Sequence, residues 1–145
     1  MIPLLAIIAA CTGARSDTRE TILRCIDCAE VRVIRVIDGD TLHTARGRLR
    51  LFGVDTPERG KRCASEATDR LRELAGGSVR LEDGPRLTGG GGRLLAYVYT
   101  QDGLSIDEIL IREGLAIAWT EDGQHRDFLV GMEGEARREY SGCLW

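Results

Sequence analysis

The sequence predicts an α+β domain: a five-stranded OB-type β-barrel carrying three α-helices. Three observations lead there. Five short β-like segments occur within about seventy residues, a helical segment falls between the third and fourth, and two further helical segments close the chain. At 145 residues the chain suits one domain with a core of its own.

Residues 1-30 read as a leader and linker, and 31-145 as the folded domain. The opening "MIPLLAIIAA" is apolar but too short to span a bilayer as a permanent helix, which favours an export signal. Ile8-Ala9-Ala10-Cys11 also resembles a bacterial lipobox, in which Cys11 would carry lipid and attach the chain to a membrane. The expected location is therefore secreted or cell-envelope. Residues 12 to 30 are polar and lack periodicity.

The domain opens on Val31 to Ile37, a β-branched run that stops at Asp38-Gly39. Thr41 to Ala45 follows as a second strand, Arg46-Gly47 as a turn, and Arg48 to Val54 as a third strand. Ser65 can cap a helix whose apolar positions Ala67, Leu71 and Leu74 share a face, with Gly76 beyond its end. Val79 to Glu82 and Leu94 to Thr100 are strands four and five, joined through a glycine-rich link expected to be mobile. Ser105 and Glu108 have capping-box spacing ahead of an apolar stripe that ends at Gly114. Phe128, Met132, Ala136 and Tyr140 recur every four residues and mark the last helix.

Composition narrows the function. A net charge of -3 and a pI near 5.5 argue against diffuse binding to a polyanion, so any anion must be held by a local cluster. Nineteen of the twenty basic residues are Arg, whose planar fork suits phosphate. Of five cysteines, removing or lipidating Cys11 leaves four, which allow three pairings. The simplest in an oxidising compartment is Cys25-Cys28 with Cys63-Cys143. Zinc is disfavoured, because His43 and His125 are isolated from each other and from the cysteines; both are expected on solvated surface.

Chemistry concentrates in "VIRVIDGDTLHTARGRLRLFGVDTPERG", where Asp38, Asp40, Asp55 and Glu58 surround Arg46, Arg48 and Arg50. Asp40 and Asp55 each lie where a strand meets a turn, and a meander brings such ends together. Thr56, held extended before Pro57, can add its carbonyl. Such hard oxygens suit Ca²⁺, although the loop is not an EF-hand. Either turn alone is ordinary turn chemistry.

The order "IDGDT", "RLRLFGVDTPE", "GRLLAYVY", a helix-Gly-Leu-Ala segment and a C-terminal "LW" closely resembles the staphylococcal nuclease, or thermonuclease, family over roughly Val31 to Trp145. The resemblance implies that Asp40, Asp55 and the Thr56 backbone oxygen hold calcium, with Asp38 as a secondary acid. It makes Glu58 the general base and Arg50 and Arg93 the phosphate-binding residues, and Trp119 is a candidate base-stacking platform. One departure is the run Gly89-Gly90-Gly91-Gly92 before Arg93, where the family usually carries an aromatic. The expected activity is a calcium-dependent phosphodiesterase, an endonuclease acting on DNA and RNA with little sequence preference and leaving 3′-phosphate ends. The chain is expected to be a monomer with no stable protein partner. The alternative is a non-catalytic OB-fold module that binds nucleic acid or protein.

Overall fold

The β-branched run at the start of the expected domain forms the longest strand, β1 (Ala29–Asp38), in a computed structural model that describes residues 21–145. Cys11 and the apolar leader lie outside the described residues. Register shifts between Val33 and Arg35, and between Val36 and Asp38, bend β1. Its C-terminal half pairs with β2 (Thr41–Thr44) and its N-terminal half with β5 (Ser78–Glu82). β2 returns through a tight turn into β3 (Gly47–Leu51). β6 (Leu94–Thr100) runs antiparallel to β5 and parallel to β3, which closes the barrel in the order β1-β2-β3-β6-β5. The five-stranded OB-type barrel and its three helices are as expected.

The third strand is shorter than its apolar run suggests. After Leu51 the chain leaves the barrel at Phe52-Gly53, and Val54–Asp55 (β4) pairs instead with β7 (Ile117–Ala118). Gly53 permits this because a Cβ there would sit 2.5 Å from Leu129 Cδ1 and 3.0 Å from the Tyr97 ring. The Gly53 N–H is held by the buried Asp107 carboxylate at 3.1 Å, and Asp107 also accepts from the Val98 N–H at 3.2 Å.

Helix α1 (Ala64–Ala75) begins one residue earlier than the predicted Ser65 cap. Cys63, in the left-handed region at φ 71°, occupies the capping position with no side-chain hydrogen bond to the helix. Cys63 is drawn into the core by its disulfide to Cys143, which leaves Ser65 exposed inside the first turn. Ala64, Ala67, Leu71 and Ala75 form the buried face.

Only half of the expected capping box forms at α2 (Ile106–Arg112). Ser105 Oγ accepts from the Glu108 N–H at 3.1 Å, but the Glu108 carboxylate turns away. It accepts from the N–H groups of Ile22 and Leu23 at 2.7 to 3.1 Å and from Arg112 Nε at 2.7 Å, while the Ser105 N–H donates to Leu23 O. Residues 21–28, expected to be linker, thus run along the body, and the Cys25–Cys28 disulfide sits there with the Cys25 N–H on Gly103 O.

Helix α3 (Arg126–Arg138) buries Leu129 and Ala136, with Phe128 and Met132 partly covered. Tyr140 is not on its inner face: it lies beyond the helix at φ 51° and is 81% exposed. The core joins barrel to helices through Leu42, Leu49, Leu51, Val79 and Val98 from the strands and Leu71, Ile106, Leu110 and Leu129 from the helices. All nine are fully buried, each worth about 1.5–3 kcal/mol or less of transfer free energy. Among the described residues no helix is long and apolar enough to cross a membrane.

Candidate active site

The two acid turns are locked together by short-range chemistry. The Asp40 N–H donates to Asp38 Oδ1 at 3.1 Å, the usual way an Asp stabilises its own turn. A Cβ on the intervening Gly39 would lie 2.8 Å from Ala67 Cβ and 2.8 Å from Thr56 Oγ1, so glycine lets this turn press against α1 and the second turn. The largely buried Asp40 then bridges the two turns: Oδ2 accepts from the Thr56 N–H at 3.2 Å and Oδ1 from the Thr41 hydroxyl at 3.1 Å.

Arg50 projects from β3 between the acids. Its Nη2 lies 3.4 Å from Asp55 Oδ1 and 3.6 Å from Asp40 Oδ2, while Nη1 donates to Leu51 O at 2.9 Å. Asp38, Asp40, Arg50, Asp55, Thr56, Glu58 and Arg93 all line one cavity of about 280 Å³. Arg46 and Arg48 do not. Glu58 is exposed on the turn after β4, and Arg93 stands immediately before β6 with Nε on Gly90 O at 3.1 Å. The glycine-rich link folds into a short 3-10 turn at Gly90–Gly92, which holds that arginine beside the acids.

The carboxylates load the site with negative charge. Burial raises the Asp38 carboxyl above its ordinary value, and the charge of Asp40 adds to it against the Asp40 N–H. Burial likewise raises Asp55; Arg50 opposes this, and the charges of Asp40 and Glu58 reinforce it. Such a site favours a hard cation. Asp40, Asp55 and the Thr56 carbonyl offer only oxygen, the donor type that calcium and magnesium take. Among the described residues, the one trio of His, Cys or carboxylate ligand atoms within 4.8 Å of one another is Cys63, Glu66 and Cys143, two of which form a disulfide. The donor set at Asp40 and Asp55 therefore has two carboxylates of its own and depends on carbonyl and water for the rest.

Trp119 lies on the other side of Arg50, whose guanidinium carbon is 5.5 Å from the indole centroid. Trp119 Nε1 donates to Asp122 Oδ1 at 2.9 Å, which fixes the ring edge. Arg86 and Asp122 complete this wall and were not foreseen. Arg86 makes a two-pronged contact with Asp122 at 2.7 and 3.0 Å and lies over Phe52 at 5.2 Å, and these bonds hold the Asp122 carboxyl down to about 2. Nothing in "EDGPRL" marks Arg86 as more than a loop residue, because its partner is 36 positions away. A second cavity of about 240 Å³ is lined by Arg50, Phe52, Arg86, Gly89, Gly90, Arg93, Leu95 and Trp119.

His125 departs from the expected solvated surface. Its Nε2 is 2.7 Å from Glu82 Oε1 and its ring meets Tyr97 edge-on at 4.7 Å, so it joins the network under β5 and β6. His43 is half-exposed on β2. Tyr97 and Tyr99 are both core residues, 2% exposed each, and neither can stack on a ligand.

Comparison with known proteins places the chain among nucleases of one family. A family described as staphylococcal nuclease homologue matches residues 48–145. That span runs from β3 to the C-terminus and includes Arg50, Asp55, Glu58 and Arg93; Asp38 and Asp40 precede it. An uncharacterized endonuclease of Escherichia coli O157:H7 is 33% identical over 128 residues, covering 81% of this chain and 79% of that protein. The micrococcal nuclease of Shigella flexneri is 32% identical over 126 residues, covering 78% and 71%. The thermonuclease of Staphylococcus hyicus is 41% identical over 98 residues, covering 60% of this chain and 57% of its own length.

Proposed function

This chain belongs to the staphylococcal nuclease homologue family, and from that premise we propose that it is a calcium-dependent endonuclease that hydrolyses DNA and RNA with little sequence preference and leaves 3′-phosphate ends. The observation that carries the reading is the single cavity shared by Asp40, Asp55, Glu58, Arg50 and Arg93. Acids that could hold a cation and arginines that could hold a phosphodiester meet there.

Asp40, Asp55 and the Thr56 carbonyl would hold the calcium, which when bound neutralises phosphate charge and polarises the P–O bond. Glu58 takes a proton from the attacking water, its exposed carboxylate standing free to face a water in line with the leaving oxygen. As the new P–O bond forms, the bond from phosphorus to the 5′-oxygen breaks, and that oxygen takes a proton from solvent water to leave as a hydroxyl. Arg50 and Arg93 donate to the phosphoryl oxygens as charge builds on them. Arg50's contacts to Asp55 and Asp40, at 3.4 and 3.6 Å, are longer than a close charge-assisted bond, so a phosphate oxygen can compete for Nη2 while Nη1 stays on Leu51 O. Trp119 supplies a face for a base beside that phosphate.

The Cys25–Cys28 and Cys63–Cys143 bridges support an oxidising compartment, in keeping with secretion or a place in the cell envelope. Lipid attachment at Cys11 and a monomeric state complete the proposal. The test is incubation of the chain with single-stranded DNA and RNA, in calcium and in chelator, beside Glu58→Ala. Calcium-dependent cleavage with 3′-phosphate ends, lost by orders of magnitude in the variant, is the expected result. A folded protein that binds the strands without cutting them would identify a binding module instead.

A further inference from the structure

Three cavities run in sequence across this face. The Trp119 cavity shares Arg50 and Arg93 with the acid cavity, which in turn shares Asp38 and Pro57 with a third of about 290 Å³ between the turn after β4 and helix α1. We propose that this third cavity is a nucleoside subsite, which holds the residue flanking the scissile phosphate on the side away from Trp119. The inference rests on the nuclease reading and deepens it.

The lining fits a neutral nucleoside better than another phosphate. Ile37, Pro57 and Ala64 supply apolar surface, and Arg59 spans one wall with Nη2 on Ile37 O at 3.2 Å. The Thr68 hydroxyl gives its proton to Ala64 O at 3.0 Å, so its oxygen meets a ligand as an acceptor. Two carboxylates, Asp38 and Asp69, balance two guanidiniums, Arg59 and Arg72, and Arg72 is already paired with Asp69 at 2.8 Å. The Trp119 cavity differs, with three lining arginines and no lining carboxylate. A strand crossing both would therefore be gripped unequally: phosphates gain affinity on the Trp119 side, whereas on the α1 side the sugar and base carry the contact.

The test uses thymidylyl-thymidine and two nitrophenyl esters, of thymidine 3′-phosphate and thymidine 5′-phosphate, each of which leaves one flank without a nucleoside. Ser65→Trp would fill the cavity from an exposed position in the first turn of α1, and Arg59→Ala would open its wall; unchanged circular dichroism shows that each variant folds. Each variant should lower kcat/KM by about tenfold more for the dinucleotide and one ester than for the other ester. Equal losses on all three substrates, or no loss, would overturn the subsite. Binding of a methylene-bridged phosphonate dinucleotide reads the same cavity without turnover, and affinity unchanged by both variants would overturn it as well. A wild-type protein that cleaves none of the substrates but binds the phosphonate with the expected sensitivity would sink the nuclease reading and leave the subsite standing.

Discussion

Asp107 makes stability fall as pH rises, and the size of the effect can be worked from its surroundings. It is fully buried, and desolvation pushes its carboxyl from 3.8 up to about 7, against the N–H groups of Val98 and Gly53 and the nearby His125. The folded chain therefore keeps a proton that the unfolded chain releases above pH ~4. Stability is lost progressively from there to about pH 7 and is then flat. A shift of about three units is worth roughly 4 kcal/mol at 1.36 kcal/mol per unit. Asp107→Asn removes the titration but keeps one acceptor for two N–H groups, a pH-independent cost of ~1–3 kcal/mol. Urea unfolding of both proteins between pH ~4 and ~8 isolates the difference from every other group. Wild type should be the more stable at the acid end and should lose several kcal/mol relative to the variant by neutral pH. A difference that stays constant across the range would refute the reasoning, because it would mean that the two amide donors hold the carboxylate ionised throughout.

Arg50→Lys keeps the charge but loses the fork that reaches Leu51 O and a phosphate together, and should lower cleavage by ~10²-fold or more with an unchanged unfolding midpoint. Gly123→Ala should cost ~2 kcal/mol or more in thermal unfolding, because φ there is 115° and a Cβ would collide with the Tyr97 hydroxyl and the Phe52 ring. Cys143→Ser removes a bridge spanning 80 residues and should cost ~4 kcal/mol in guanidinium unfolding, well above the loss from Cys28→Ser, whose bridge spans three.

The barrel was legible in the sequence because its signals are local. The β-branched run ending at Asp38-Gly39 marks a strand, and Gly76 and Gly114 end helices whatever surrounds them. Apart from Tyr140, which the local end of α3 turns outward, the misreadings concern partners far along the chain. Ser65 has the chemistry of a cap, but the bond from Cys63 to Cys143 decides where α1 begins. Glu108 has capping-box spacing, yet the backbone of Ile22 and Leu23 offers its carboxylate donors that no spacing rule foresees. The apolar run through Val54 conceals the exit at Gly53, which is set by Asp107 and Leu129. The same distinction holds at the site. Asp38, Asp40, Asp55 and Glu58 lie in two short motifs, whereas the Arg86–Asp122–Trp119 wall is assembled from two separate loops and carries no motif.

The parallel seam between β3 and β6 also sets the order of events in the life of the molecule. It pairs Leu49 with Leu94 and Arg50 with Leu95, segments far apart in the chain, so it closes against a large loop entropy. Arg50 stands on one lip of that seam and Arg93 just before the other. A newly made chain carries every acid and arginine of the site, yet the two guanidiniums meet only when the seam shuts. A chain whose seam is still open would leave nucleic acid untouched, and would become dangerous to such polymers only after folding.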